Sequence, residues 1–117
     1  MHEIRLAGPW ERTDGNAVTR VALPHAISSD QSLVRRFHCP SGISDDTRLF
    51  IVVRLTGEAR NLTGTCNGKP VSVQFAQNDV LMEITPHINH HNELNLHATN
   101  ENPIEVESVR LRISEPN

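Results

Sequence analysis

The sequence predicts an all-β fold, an antiparallel β-sandwich built as one domain over residues 1–117. Three observations predict it: apolar residues recur at every second position in short runs, an Asn-Gly pair stands between two such runs, and no sustained amphipathic helix occurs. Short strands of this kind bury one face each, and two stacked sheets are the simplest way to cover all of them. A chain of this length removes roughly two thirds of its extended-state surface from water, enough for one core. There is no low-complexity linker, charge block or internal repeat to divide it.

Taken in order, "LVRRFH" at 33–38 alternates so that Arg35 shares the face of Phe37, while Arg36 is an outward charge. "LFIVV" at 49–53 is apolar throughout and reads as a central strand covered on both faces or hidden within a sandwich. Cys66 reads as a small core residue. Asn67 and Gly68 follow at once; Asn-Gly is favoured where both central residues of a two-residue hairpin take positive φ, which predicts a type I′ turn. Three alternating runs come next. Val71, Val73 and Phe75 share one face, as do Val80, Met82 and Ile84, and then Leu94, Leu96 and Ala98. Between the second and third, Thr85 and Pro86 predict a single helical turn, with a hydroxyl cap followed by proline at the first helical position. In the last strand Ile104 and Val106 are out of phase with Val109, Leu111 and Ile113, and a β-bulge at Glu107 and Ser108 restores one buried face.

Composition narrows the function. Eleven Lys and Arg stand against fourteen Asp and Glu, a net charge of −3 without the basic patch that a phosphate backbone needs, so nucleic acid is not an expected partner. No apolar run is long enough for a signal peptide or a membrane span, which predicts a soluble cytoplasmic protein with no membrane association. In that compartment Cys39 and Cys66 are reduced thiols.

With these pieces in hand, "LVRRFHCP" (33–40), "RLFIVVRLTGEARNLTGTCNGKPV" (48–71) and "VLMEITPHINHHNELNLHATN" (80–100) resemble successive parts of the galactose-binding-like jelly-roll. The version they resemble is the N-terminal sugar-binding domain of β-galactosidase and β-glucuronidase glycoside hydrolases, and the accessory domains of α-rhamnosidases. Arg35, Phe37 and Pro40 match that pattern's Arg-x-Phe-x-x-Pro, Asn67 and Gly68 its hairpin, Ile84, Thr85 and Ile88 its Asp-Ile-Thr-x-x-Leu, and Asn92 and Leu94 its Asn-x-Leu. "IRLAGPW" and "VALP" resemble the opening strand and its Leu-Pro, with Trp10 as the buried N-terminal tryptophan. Leu33, Glu83 and His91 depart from the pattern, which has an aromatic, Asp and Gly there. The catalytic glutamates of those hydrolases lie in a separate barrel domain, so the resemblance implies a fold and a sugar connection but no hydrolase activity.

Candidate sites are few. Residues 84–98, "ITPHINHHNELNLHA", carry four of the seven histidines. Alternation turns His97 to the outer face beside Glu93 and Asn95, about 20 Å along the strand from His91. His87, His90 and His91 remain, and with no further ligand tied to them by sequence the expectation is a solvated turn and no metal. Asp45 and Asp46 supply too few oxygens for calcium. No nucleophile elbow or comparable context exists, and no catalytic residue and no cofactor are expected. The aromatic set, no Tyr, one Trp and three Phe, with Phe37, Phe50 and Phe75 all assigned to core phases, speaks against a lectin that stacks on sugar rings. The expected function is a non-catalytic binding module with a carbohydrate partner. The alternative is a protein-interaction or self-associating scaffold with no sugar ligand, forming a homodimer through an uncovered sheet face.

Overall fold

The computed structural model describes residues 2–115 as two stacked antiparallel sheets. The strands are β1 (His2–Arg5), β2 (Trp10–Asp14), β3 (Ala17–Val21), β4 (His25–Ile27), β5 (Gln31–His38), β6 (Arg48–Thr56), β7 (Leu62–Cys66), β8 (Lys69–Pro70), β9 (Ser72–Ala76), β10 (Asp79–Glu83), β11 (His91–Ala98) and β12 (Ile104–Ser114). One sheet has the order β1-β12-β6-β10-β9, with β4 also on β12; the other runs β3-β2-β5-β11-β7-β8. The sandwich that the alternation predicts is therefore the fold.

Its core is made of the predicted inward positions. Trp10, Leu33, Ile51, Val53, Val80, Met82, Ile84, Leu94, Leu96 and Val106 have no accessible surface, and the indole Nε1 of Trp10 donates to the Leu6 carbonyl at 3.0 Å. Cys66 is buried among them. Gly64 is a point of close approach: a Cβ there would stand 3.0 Å from the Asn95 carbonyl and 3.1 Å from Met82 Sδ.

The local predictions hold where local geometry governs them. Asn67 and Gly68 have φ of 55° and 80°, and Cys66 pairs with Lys69 across the turn. The β6–β12 register shifts between Val106 and Ser108, as the phase slip requires. Residues 85–87 form one 3-10 turn, but Thr85 is not its cap. The turn begins after Ile84, and the Thr85 hydroxyl instead accepts from the Leu49 amide at 2.8 Å, tying the turn to β6.

Two aromatic assignments are corrected. Phe75 has the inward phase, opposite Val80, yet is 47% exposed, because β9 is the edge of its sheet and the second layer does not reach over it. Phe50 lies on the outer face: Leu49, Ile51, Val53 and Leu55 of β6 point between the sheets, whereas Phe50 is half-buried beneath the Arg48 guanidinium, 5.2 Å from its ring centre. Phe37 is in the core as predicted. Val52 shares the outer phase of Phe50 and is nonetheless fully buried between its cross-strand neighbours Arg110 and Leu81.

Candidate functional site

The end of the second sheet where β5 stops and β11 starts gathers the polar side chains that the sequence left unassigned. The two strands pair with Phe37 opposite Asn92, His38 opposite His91 and Arg36 opposite Glu93. Period-2 alternation then sends Phe37 and Asn92 inward and the other four outward. Asn92 is a buried polar residue in an apolar layer, and every part of its amide is used. Its Oδ1 accepts from the Asn89 amide at 2.7 Å and from Asn67 Nδ2 at 2.9 Å, while its Nδ2 donates to the carbonyls of Asn89 at 2.9 Å and Phe37 at 3.4 Å.

Asn67 performs the matching task from the hairpin. Besides adopting positive φ, it donates from Nδ2 to the His87 carbonyl at 2.7 Å and accepts at Oδ1 from the Glu93 amide at 2.9 Å. Its own amide donates to the Glu93 carbonyl at 2.9 Å. The β7–β8 hairpin, the 85–87 turn and the head of β11 are thus held together by two asparagine side chains. The sequence marked Asn67 as a turn residue and Asn92 as part of a resemblance; their joint role depends on a contact 25 residues apart.

Beside this network lies a cleft of about 360 Å³ lined by Arg36, Phe37, His38, Asn67, His91, Asn92 and Glu93. Arg36 is outward, as predicted, and pairs with Glu11 at 2.6 Å and Glu93 at 3.1 Å. These carboxylates, the Glu11 hydrogen bond first, raise its pKa and hold it charged. Arg35 takes the inward phase at the sheet rim, where Nε donates to the Ala7 carbonyl at 2.8 Å and a second nitrogen donates to the Arg36 carbonyl.

The histidines regroup. His90 and His91 meet His38, not His87: the ring centres of His38 and His91 are 4.5 Å apart, those of His90 and His91 4.7 Å, and those of His38 and His90 6.1 Å. One ring nitrogen from each lies within 4.8 Å of the others, and all three residues are exposed. Consecutive strand residues would face opposite ways, but His90 sits in the bend before β11, where its carbonyl accepts from the Cys39 amide at 3.0 Å. His38, more than fifty residues away in the chain, carries no local signal; only the β5–β11 register brings it in. His97 faces outward as predicted and is half-buried, which lowers its pKa.

Asp45 and Asp46 do not line the cleft, whereas Cys39 adjoins it through its bond to the His90 carbonyl. Asp45 and Asp46 are exposed in a loop closed by Ser44 and Thr47, whose backbone and hydroxyl groups bond to each other at 3.0 Å and 3.1 Å. Cys39 and Cys66 are both free thiols, and burial pushes the Cys66 thiol pKa up. On the outer face of the first sheet a hollow of about 300 Å³ is lined by Arg5, Arg54, Ser108 and Arg110, a local concentration of arginine that the net charge conceals. There Arg54 pairs with Asp79 at 3.2 Å and Arg110 with Glu3 at 2.8 Å. No helix is long and apolar enough to cross a membrane among the described residues.

No family model matches the sequence, and no curated protein matches it. The fold, however, has a solved counterpart. The chain superposes on part of the FMN-binding beta-glucuronidase from Facaelibacterium prausnitzii L2-6 with a TM-score of 0.76 at 17% sequence identity. The match covers 97% of this chain and 22% of that one, so the likeness is to a single portion of a larger protein. It concerns the fold, a β-sandwich found within a glycoside hydrolase.

Proposed function

We propose that this domain is a non-catalytic binding module of the galactose-binding-like kind, an accessory to glycoside hydrolysis, and that it receives a hydroxyl-rich ligand in the cleft between β5, β11 and the β7–β8 hairpin. The observation that carries the reading is the cleft itself: Arg36, His38, His91 and Glu93 converge on one concave surface whose backbone is held by the Asn67–Asn92 network. The likeness to a portion of a glucuronidase supports the accessory role. Phe37, the aromatic residue lining the cleft, is buried, so a sugar gains hydroxyl contacts at about 0.5–1.5 kcal/mol each and little ring stacking. Binding of a monosaccharide is then weak, with a Kd on the order of a millimolar.

The test is a titration of galactose, glucuronate and rhamnose followed by amide shifts in the presence of a chelator. The reading expects changes confined to residues 36–38, 67 and 91–93, and no turnover of the corresponding chromogenic glycosides. Hydrolysis of any of them, or shifts mapping elsewhere, would remove it.

A second reading, a self-associating scaffold, is favoured by one specific observation. The three large apolar side chains left exposed among the described residues, Ile4 at 46%, Val18 at 58% and Phe75 at 47%, all lie on edge strands, β1, β3 and β9. Edges with apolar side chains and unpaired backbone groups invite strand addition. Light scattering across a concentration series separates the two readings, since only the scaffold reading expects a dimer that Phe75→Lys disperses.

A further inference from the structure

We infer that His38, His90 and His91 form a binding site for a divalent transition-metal ion of the zinc class. The site goes beyond the saccharide reading and does not depend on it. Sequence reasoning expected no metal because it grouped His90 and His91 with His87 and found no further ligand within reach. The β5–β11 register supplies that ligand in His38, directly opposite His91.

The ligand atoms of the three residues lie within 4.8 Å of one another. Two imidazole nitrogens on a tetrahedral ion stand about 3.3 Å apart, given Zn–N distances of about 2.0–2.1 Å. The three residues are exposed, so rotation about χ1 and χ2 is the motion that would close the difference. Two ligands come from paired strands and the third from a bend held by the Cys39 amide, so most of the ordering cost of a chelate is met by the fold. Imidazole selects zinc, copper and nickel over calcium and magnesium, which require oxygen ligands. Three nitrogens leave a fourth position open, and His38 and His91 both line the cleft, so an ion bound by all three sits at its rim. An exposed site of this kind, without an outer shell to orient the rings, holds zinc at a Kd on the order of micromolar.

The experiment is calorimetric titration of the tag-free full chain with zinc chloride at neutral pH, repeated with nickel chloride. One ion per chain is expected, with His38→Ala, His90→Ala and His91→Ala each weakening binding at least tenfold and His87→Ala leaving it unchanged. His38→Ala is decisive, because it alone distinguishes a cross-strand site from a histidine-rich turn. Its melting curve without metal should match that of the parent chain, so a loss of affinity would not be a loss of fold; His38→Gln provides the same test should the alanine variant melt early. No heat up to millimolar zinc, or binding that survives His38→Ala and is lost in His87→Ala, overturns the assignment. Since the probe is the metal alone, neither result bears on whether a sugar occupies the cleft.

Discussion

The outer face of the first sheet and the β5–β11 end of the second are both rich in polar side chains, but they use them in opposite ways. Across the first sheet, Arg48 pairs with Glu83 at 2.7 Å, Arg54 with Asp79 at 3.2 Å, and Arg110 and Arg112 share Glu3 at 2.8 Å and 2.7 Å. These are surface ion pairs between long side chains, where solvent screening and lost rotamer freedom leave a net contribution of about 0–1 kcal/mol each. At the other end, two asparagine amides, that of Asn92 buried, bond backbone groups from three separate segments, most of them buried or partly buried. Their removal strands donors and acceptors away from water, at about 1–3 kcal/mol for each group left unsatisfied. The number of polar contacts is thus a poor guide to their weight; what decides is whether water can replace the partner.

The largest effect should come from Asn92→Ala. It leaves the Asn89 amide and the carbonyls of Asn89 and Phe37 without this partner, and a loss of about 2–4 kcal/mol is expected in denaturant unfolding. A change under about 0.5 kcal/mol would erase the contrast between the two regions.

Gly68→Val, in the hairpin whose preceding residue supplies the other half of that network, places a β-branched side chain at a φ of 80° and should lower stability by about 1–3 kcal/mol. Since a Cβ at Gly68 meets no atom within 4 Å, the cost is one of backbone conformation alone. Gly64→Ala separates steric from conformational cost, because its new methyl meets the Asn95 carbonyl and Met82; a loss of about 1–3 kcal/mol is expected there too, through overpacking. An unchanged melting temperature would contradict the positive-φ turn in the case of Gly68→Val and the close β7–β11 approach in the case of Gly64→Ala.

His97 sharpens the comparison by pH. It stands on the outer face of β11, opposite Ser32 of β5 and Thr63 of β7, and burial lowers its pKa. The unfolded chain therefore binds a proton more readily than the folded one near the ordinary histidine range, so this residue makes stability fall as pH drops through that range. His97→Gln should flatten the decline between neutral pH and pH about 5. An unaltered pH profile would show that the half-buried ring carries no such linkage.

The smallest effect is expected from Glu83→Gln. The hydrogen bond from Arg48 holds the Glu83 carboxyl below its usual pKa, so the pair's contribution is present at neutral pH and is lost as pH falls through the folded-state value. Because the pair is at the surface, the change at neutral pH should stay under about 1 kcal/mol and shrink further in salt. A loss comparable to that of Asn92→Ala would place the two regions on the same footing.

How much of this was legible beforehand varies with the distance over which each feature is decided. The asparagine at 67 was readable as a turn residue from its glycine neighbour, but its bonds to Asn92 and to the carbonyl of His87 join segments that no sequence window contains. The histidine cluster was half legible: His90 and His91 stood out as neighbours, whereas His38 belongs to another strand. Phe75 shows the same division in one residue, since its alternation phase was right and its burial was not.

By itself the sequence determined the alternating strands from residue 33 onward, the Asn67–Gly68 turn, the bulge near Glu107 and the inward residues of the central strands, because side-chain alternation and the steric limits on φ act between near neighbours. Tertiary structure decided which strands lie at an edge, which outer side chains stand opposite one another, and hence where the cleft and the three histidines come together. Those outcomes depend on strand order and on how far one sheet covers the other, which are settled by the burial of the whole core and carry no signature at any single residue.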